Sequence, residues 1–499
     1  MRPPRAGRPG ERGAAVNKEL KRLSIVVLAM FLALFTSTTL IQVVTADSLR
    51  ADGRNTRTLY ASYSAERGPI LVEGQPIAVS VPTDDEYKFQ RTYTNPLLYA
   101  PVTGYFTLNQ GNTGIEGALN DYLSGTSNSQ FLDVINSILP GQHPKGAAVE
   151  LTLDASVQQA AWDALGDQQG AVIAIDPKTG RILAMVSKPT FDPNQLAVHD
   201  TDQVIATYDA LLADPSGPLY NRTLAGPLNP PGSTFKLVVA TAALESGQFT
   251  PASEVPNPAS LQLPQSDNVI TNSGGDLCGG TPTVSLATAL SLSCNIPFAE
   301  FGQALGNRVL RDQANLFGFN ESIEVPLEST PSVYPRALDE PQTMLSAFGQ
   351  SSVRASPLQM AMVSMAIANG GSIMKPNLVS SIMTSDLRTL QQFEAQEFRR
   401  PMSAETAAQI AQMMVNSVAN GAASNARIDG VDVAGKTGTA ENGEGDPYTL
   451  WFTGFAPAND PRVVVAVVVE NGGGLGQSGS GNEVAAPIAK RVLEAVLFG

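Results

Sequence analysis

Histidine and cysteine are scarce in this sequence of 499 residues, which contains two of each. No group of them has metal-site spacing, so neither a bound metal ion nor another cofactor is predicted. A histidine-based catalytic triad is not favoured, because His143 and His199 lie in polar, loop-like segments and are expected at the surface. A hydrolase built from this chain therefore needs a different base.

Positive charge is also in short supply. The chain has 32 lysine and arginine residues against 46 aspartate and glutamate residues, a formal net charge of -14. Nucleic-acid partners are not expected, because their binding rests on cations that meet phosphates. Apolar residues make up 43% of the chain, which excludes wholesale disorder, and the length predicts two or three domains.

One long uncharged segment stands near the N-terminus. Residues 23–44 (LSIVVLAMFLALFTSTTLIQVV) are long enough to span about 30 Å of hydrocarbon as a helix. Residues 1–22 are rich in arginine and lysine, which predicts a cytoplasmic basic tail, a transmembrane anchor at 23–45 and an extracytoplasmic body in the cell envelope. A signal peptide cleaved near Ala46 is the alternative, and it exports the body as well.

The body changes character at about residue 150. Residues 46–150 are mixed in composition, have no catalytic constellation and are interpreted as an N-terminal spacer or docking module. Beyond them, Asp154 can cap a helix through SVQQAAWDAL, and Gly166 can end it.

Strand patterns occur at both ends of residues 151–499. Residues 170–176 and 181–187 predict a hairpin, and the C-terminal part predicts strands at 431–440, 449–456 and 462–470 before a last helix. Since these strands bracket a helical middle, the sequence predicts an α+β domain. It would contain one antiparallel sheet packed by helices, with a large helical insertion.

The first chemical pattern is Ser233-Thr234-Phe235-Lys236, in NPPGSTFKLVVATAALESG. Ser233 is predicted near a helix N-terminus, which favours negative charge developing on its hydroxyl. Lys236 lies three residues on, so a neutral amine there can act as general base for Ser233 as nucleophile. Neutrality requires burial or a second cation, since a free lysine has a pKa of about 10.4. Taken alone, the pattern also fits a capped surface helix.

The second pattern is Ser293-Cys294-Asn295, in ALSLSCNIPFAEF. An apolar helical run ends there and Pro297 can open the next helix, so the tripeptide is predicted at a helix–helix turn. Ser293 can relay a proton to a leaving amine, and Asn295 can hydrogen-bond a substrate amide. Helix capping is the alternative role for both side chains.

The third pattern is Lys436-Thr437-Gly438-Thr439, on the predicted strand VDVAGKTGTA. Lys436 can hold a substrate carboxylate and depress the pKa of Lys236. Thr437 adds a hydroxyl, and Gly438 leaves room for a substrate backbone. The amide of Thr439, with that of Ser233, can form an oxyanion hole.

The three patterns are far more specific in this order and context than any one of them alone. S-x-x-K opens a helix, S-x-N follows at a turn and K-T-G lies on a late strand, an order that resembles the S-x-x-K, S-D-N and K-T-G motifs of penicillin-binding proteins and class A β-lactamases. Lys178-Thr179-Gly180 has the same letters as the third pattern, but it falls in the predicted hairpin turn and is assigned to turn geometry.

Longer stretches, such as GAVIAIDPKTGRILAMVS, GQSSVRASPLQMA and AGKTGTAE, resemble the transpeptidase domain of class B penicillin-binding proteins over about residues 151–499. Residues 67–70 and 114–125 are similar to parts of the N-terminal module of that family, which implies a pedestal or dimerisation-like module over residues 46–150. The wording is most similar to the actinobacterial penicillin-binding protein A group.

This resemblance implies a serine β-lactamase-like fold and a substrate, the D-Ala-D-Ala end of peptidoglycan stem peptides. Ser233 would be acylated with loss of D-Ala, and the amine of a neighbouring strand would then attack. β-Lactam antibiotics would acylate the same serine. A polytopic glycosyltransferase of the shape, elongation, division and sporulation family is the implied protein partner.

One departure from S-D-N is Cys294 in the middle of the second pattern. Outside the membrane, Cys278 and Cys294 are predicted to form a disulfide that pins this turn, with a free buried thiol as the alternative.

Three other functions stay open. A D,D-carboxypeptidase uses the same residues with water as acceptor. A β-lactamase needs a carboxylate that activates water, and none is assigned. A scaffold or sensor would bind without turnover.

Overall fold

The computed structural model describes residues 11–44, 65–130, 145–386 and 388–499, and it divides into two units, residues 1–62 and 63–499. In the first unit, helix α1 (Glu11–Thr39) continues as a π-helical turn over Leu40–Val44. Within it, Leu20–Gln42 has a mean hydropathy of 2.2 and is the one candidate membrane span in the described ranges. The helix begins before residue 23 because no proline interrupts residues 11–22, and Thr45 of the predicted anchor lies outside the described residues.

The helices of the second unit surround its sheets. In chain order they are α2 (Pro96–Thr103), α3 (Gly114–Ala118), α4 (Asn120–Leu123), α5 (Ala155–Leu165), α6 (Thr201–Ala213), α7 (Lys236–Glu245), α8 (Leu286–Leu292), α9 (Asn295–Leu316), α10 (Glu340–Ser346), α11 (Pro357–Ala368), α12 (Ala404–Asn420) and α13 (Ala485–Phe498).

The strands of this unit form two larger sheets and three short ribbons. In chain order they are β1 (Ile70–Val72), β2 (Gln75–Pro82), β3 (Phe89–Tyr93), β4 (Ala148–Leu151), β5 (Gly170–Ile175), β6 (Ile182–Lys188), β7 (Glu254–Pro256), β8 (Ser260–Gln262), β9 (Val269–Thr271), β10 (Thr283–Ser285), β11 (Ile373–Met374), β12 (Val379–Met383), β13 (Thr389–Gln392), β14 (Glu397–Arg399), β15 (Ala434–Ala440), β16 (Thr449–Ala456) and β17 (Val463–Val469).

The central sheet has five antiparallel strands in the order β15-β16-β17-β5-β6. Every residue of β16 and β17 is buried, because α5 and α13 cover one face of the sheet and α11 covers the other. The predicted α+β class, with strands from both ends of the domain and a helical insertion between them, is confirmed. The order also leaves β15, which carries the third motif, at the sheet edge.

The helix before the hairpin is fixed at both ends as the sequence predicts. The Asp154 side chain accepts hydrogen bonds from the amides of Ser156 and Val157, at 2.9 and 3.0 Å. Helix α5 ends at Leu165, and Gly166 follows with a φ of 55°, a conformation that favours glycine. Because α5 packs on β6, these caps also fix one face of the central sheet.

The second large sheet has the order β13-β12-β4-β1-β2-β3. Strand β4 pairs in parallel with β1 and antiparallel with β12, so a late segment completes the sheet of the N-terminal module. The predicted division at 150/151 therefore falls inside β4. Local sequence patterns predict single strands. They cannot predict that β12 pairs with β4, which lies more than two hundred residues earlier.

A buried ionic cluster holds the N-terminal module together. The carboxylate of Glu116 accepts from Arg67 Nε at 2.5 Å and from Arg91 Nε at 2.6 Å, and the side chains of all three are at most 2% exposed. Arg67 also donates to the Glu116 carbonyl, and Arg91 donates to the Gly68 carbonyl. Glu116 lies on α3 and Arg91 on β3, so the cluster joins the short helices to the sheet.

Candidate active site

Ser233 lies in a turn of 3₁₀-helix, Gly232–Phe235, that leads directly into α7. Gly232 has a φ of 52°, and its amide donates to the Gly349 carbonyl at 3.0 Å. The indole of Trp451, on β16, donates to the Pro230 carbonyl at 2.9 Å and holds the turn from behind. Ser233 is half-buried, whereas Thr234 and Phe235 beside it are fully buried, so the serine is the residue that the turn presents.

Lys236 is the first residue of α7, and its side chain is completely buried. Its Nζ donates to the Ser293 carbonyl at 2.7 Å and to Asn295 Oδ1 at 2.8 Å. The rings of Phe298 and Phe348 lie 5.6 and 6.0 Å from the same nitrogen. In the described part of the chain no hydrogen bond joins Lys236 to the Ser233 hydroxyl. Such catalytic bonds often form only with substrate present.

Ser293 stands between α8 and α9 in a left-handed conformation, with φ 65° and ψ 36°. A serine there costs about 1–3 kcal/mol and persists only where its surroundings hold it. Both lysines of the motifs do so, because Lys236 binds the Ser293 carbonyl and Lys436 binds its hydroxyl. The strained turn thus lies between the two cations.

Lys436 reaches the same turn from the opposite side of the site. It is completely buried, and its Nζ donates to Ser293 Oγ at 2.7 Å and to the Thr437 carbonyl at 2.8 Å. The Thr437 hydroxyl donates to the Ala422 carbonyl at 3.0 Å, and Thr439 Oγ1 accepts from the Gly481 amide at 3.1 Å. The structure therefore brings the three motifs together around Ser293.

Close packing against the serine turn explains why position 438 is a glycine, and the sequence alone did not predict this. A Cβ at this position would lie 2.8 Å from the Pro231 carbonyl oxygen and 3.2 Å from Thr234 Cγ2. Only glycine lets the edge strand β15 lie this close to the turn that carries Ser233. The space expected for substrate backbone beside Gly438 is occupied on this side by the turn itself.

The two lysines share an environment that disfavours their charged forms. Burial lowers the pKa of Lys236 well below its usual value, and the positive charge of Lys436 lowers it further. Burial also lowers the pKa of Lys436, to about 7. A neutral amine at Lys236 is therefore accessible at physiological pH, which is the condition for a lysine base.

Cys278 and Cys294 form a disulfide, with their Cα atoms 5.7 Å apart. Cys294 is 1% exposed and lies between Ser293 and Asn295. The bond ties the S-x-N turn to the short turn at Cys278–Gly280.

We expect alkylation to add mass to the denatured protein only after reduction. The bond closes a loop with a sequence separation of 16, so its loss is expected to cost about 3 kcal/mol of unfolding free energy. Intact mass with and without reductant checks the bond, and urea unfolding of Cys278→Ser against wild type checks the cost. Two thiols alkylated without reductant would contradict the pairing.

Two features outside the motifs are explained by their contacts, which are local in one case and long-range in the other. Lys178-Thr179-Gly180 lies in the β5–β6 turn, where Asp176 accepts from the Lys178 amide and the Thr179 hydroxyl, so it is turn chemistry. His199, expected at the surface, is only 12% exposed because its ring bonds Asp85 and packs on Tyr87 of the N-terminal module. His143 lies outside the described residues.

Sequence reasoning missed the residues that support the serine turn. Asn229 Nδ2 donates to Glu470 Oε1 at 3.1 Å, and Arg222 Nε donates to Glu470 Oε2 at 3.3 Å. Glu470 directly follows β17, so this pair anchors the segment before Pro230 to the sheet. The antiparallel neighbours β15 and β16 were predictable and place Trp451 opposite Gly438, but no local pattern indicates Glu470.

Comparison with known proteins agrees with this geometry. Residues 170–494 match the family model described as penicillin binding protein transpeptidase domain. Residues 67–149 match the model described as penicillin binding protein A dimerisation domain. The chain belongs to the penicillin-binding protein transpeptidase family. The membership predicted from the sequence is confirmed.

Similar proteins align over almost the whole chain. Identity is 39% to peptidoglycan D,D-transpeptidase PbpA of Mycolicibacterium smegmatis, over 97% of this chain and 99% of that protein. It is also 39% to the protein of that name from Mycobacterium tuberculosis, over 97% of this chain and all of the other. The solved structure of M. tuberculosis penicillin-binding protein A, a ceftriaxone acyl-enzyme complex, aligns with a TM-score of 0.84 at 38% identity, covering 88% of this chain and 100% of that one.

Proposed function

We propose that this chain is a serine D,D-transpeptidase that cross-links the stem peptides of peptidoglycan and is acylated by β-lactams. The observation that carries the proposal is the pair of hydrogen bonds from Lys236. A neutral amine has two N–H groups and one lone pair. The Ser293 carbonyl and Asn295 Oδ1 take both N–H groups, which leaves the lone pair to accept the proton of Ser233.

Acylation then follows from the positions of the motifs. Ser233 Oγ attacks the carbonyl carbon of the penultimate D-Ala while its proton passes to Lys236. The amides of Ser233 and Thr439 stabilise the oxygen of the tetrahedral intermediate. The C–N bond to the last D-Ala breaks as the Ser293 hydroxyl gives its proton to the leaving amine. The charged form of Lys436, which donates to that hydroxyl, replaces the proton, while Lys236 keeps the proton from Ser233 until the ester is attacked. Water or a stem-peptide amine next attacks the ester, and the proposal favours the amine.

Substrate binding uses the remaining motif residues. In its charged form, Lys436 holds the terminal carboxylate, and Asn295 and Thr437 contact the peptide. The unpaired side of β15 can take an extended peptide as an added strand. Gly438 allows β15 itself to lie against the serine turn. A β-lactam offers the same carbonyl and carboxylate, so it acylates the same serine.

The cellular arrangement is part of the proposal. Residues 1–22 are a cytoplasmic tail, 23–45 a single membrane-spanning anchor, 46–150 a docking module and 151–499 the catalytic domain outside the membrane. The apolar segment Leu20–Gln42 supports the anchor, and the basic residues before it support the orientation. A polytopic glycosyltransferase is the proposed partner, because the strands whose stem peptides are cross-linked must first be polymerised.

Labelling with a fluorescent penicillin tests this function. Wild type, Ser233→Ala and a control, Ser246→Ala at the far end of α7, are labelled, chased with unlabelled drug and run on a denaturing gel. We expect stable label on wild type and Ser246→Ala and none on Ser233→Ala. Label that appears and is quickly lost would indicate a β-lactamase, and an unlabelled folded wild type would indicate a scaffold.

A further inference from the structure

Helix α9, which begins with Asn295, is capped by a residue remote in sequence. Cys294 stands at the N-cap position but makes no side-chain capping bond, and its sulfur belongs to the disulfide. Asn272 supplies the cap instead. Its Oδ1 accepts from the amides of Asn295 at 3.0 Å and of Ile296 at 3.1 Å. These are among the helix N–H groups that have no partner within α9.

Asn272 is itself rigidly held. It is 2% exposed, directly follows β9, and its Nδ2 lies 3.0 Å from Asn257 Oδ1. Asn257 is fully buried and donates to the carbonyls of Cys278 at 2.7 Å and Thr281 at 2.8 Å. Because Oδ1 of Asn272 meets only N–H groups and Nδ2 meets only acceptors, the orientation of its amide is fixed.

This end of β9 determines where the Asn295 side chain points. The carbonyl of Thr271 accepts from Asn295 Nδ2 at 3.0 Å, and Asn272 holds the Asn295 backbone. Asn295 Oδ1 is left to receive Lys236 Nζ. A continuous path of hydrogen bonds therefore runs from Asn257 through Asn272 and Asn295 to the base.

We propose that Asn272 is a positioning residue for the acylation reaction, which fixes Asn295 and thereby holds the lone pair of Lys236 towards Ser233. The inference rests on the proposed function. It assigns the segment between α7 and α8 a role in the rate of acylation beyond the fold of the insertion. The disulfide acts on the same turn through Cys294, whereas the hydrogen bonds of the Asn295 side chain go to Lys236 and the Thr271 carbonyl.

The test measures the second-order rate constant of acylation by fluorescent penicillin for the full-length protein in detergent, across acidic to alkaline pH. Rates are normalised to the label reached at saturation, so only folded sites count. The variants are Asn272→Ala, Asn272→Asp and a control, Asn194→Ala, whose side chain bonds only the Tyr93 backbone. Thermal unfolding is followed in parallel.

We expect Asn272→Ala to acylate about 10- to 100-fold more slowly, because small displacements of a base are costly. Asn194→Ala should lose thermal stability and keep the wild-type rate. In Asn272→Asp a carboxylate oxygen still caps α9. Its negative charge is separated from the Lys236 amine only by Asn295, and it therefore favours the protonated amine. The acidic limb of its pH–rate profile should therefore move to higher pH. The slower acylation per folded site of Asn272→Ala, beside an unchanged rate in Asn194→Ala, is the result that a purely structural role would not cause.

The outcomes separate the two claims. Wild type that acylates, together with Asn272 variants that keep both its rate and its pH profile, would overturn the positioning role alone. If neither Asn272→Ala nor Asn272→Asp folds, the rate per folded site of Asn272→Ser decides, because serine adds no charge beside the acceptors that face Nδ2 of Asn272. A wild type that takes no label would instead contradict the proposed function.

Discussion

Replacing Lys236 by methionine is expected to lower the rate of penicillin acylation by about 10²- to 10⁴-fold, the usual contribution of a general base. Methionine matches the length and apolar stem of lysine but cannot accept the Ser233 proton. Lys236→Arg should be no better, because a guanidinium stays protonated and cannot act as base. Stopped-flow or gel-based rates at a fixed pH measure the loss.

The same Lys236→Met variant should not be less stable than wild type. Burial lowers the pKa of Lys236 in the folded protein, and the charge of Lys436 adds to this. The unfolded chain therefore holds the lysine proton more tightly, and folding must release it or bury it as a charge. This penalty is largest at low pH and fades as the pH rises towards the unfolded lysine pKa of about 10.4.

Thermal unfolding at several pH values checks this sign. The midpoint of Lys236→Met relative to wild type should rise as the pH is lowered. A variant that unfolds below the wild-type temperature at every pH would mean that the bonds of Lys236 to Ser293 and Asn295 stabilise the fold by more than the burial of its amine costs.

Glu116→Gln is expected to cost about 3–5 kcal/mol of unfolding free energy, because it leaves two buried guanidinium groups without their counter-charge. Glutamine has nearly the shape of glutamate, but its amide can accept from only one of Arg67 and Arg91, and its N–H groups face the other. Urea unfolding measures the loss. The control is Glu66→Gln, whose ion pair with Lys145 is largely exposed and should contribute about 0–1 kcal/mol.

The loss should depend on pH. Although burial acts to raise the pKa of Glu116, the charges of Arg91 and Arg67 hold it below its usual value. A carboxylate with a depressed pKa stabilises the fold above its unfolded pKa of about 4.3, and this contribution disappears as the pH falls through the folded pKa. The difference between wild type and Glu116→Gln should therefore shrink in acid. An equal difference at all pH values would mean that shape, not charge, stabilises the module.

Local patterns in the sequence were sufficient for the central sheet and for the positions of the motifs. The short apolar runs and turn residues at 170–188 indicate a hairpin by themselves, and the apolar runs at 449–456 and 462–470 indicate strands. The spacing of Ser233 and Lys236 indicates a shared helical face. It could not reveal that the lysine turns to Ser293 and Asn295, because those acceptors come from the turn between α8 and α9, more than fifty residues later.

The features that the sequence did not predict all depend on contacts between distant segments. Strand β12 joins the N-terminal sheet through pairing with β4, which no window of residues records. His199 is largely covered by Asp85 and Tyr87 from the N-terminal module, although its own sequence neighbours are polar. Asn272 caps a helix that begins more than twenty residues later, whereas the sequence around it is typical of an ordinary turn.

Ser233 is the residue that we expect penicillin to acylate, and locating the covalent penicillin adduct in the sequence is the most direct test. The full-length protein is treated with penicillin, digested and sequenced by tandem mass spectrometry. The account predicts one adduct, on Ser233 within the peptide that also contains Lys236. An adduct on another residue, or none on a folded protein, would contradict it.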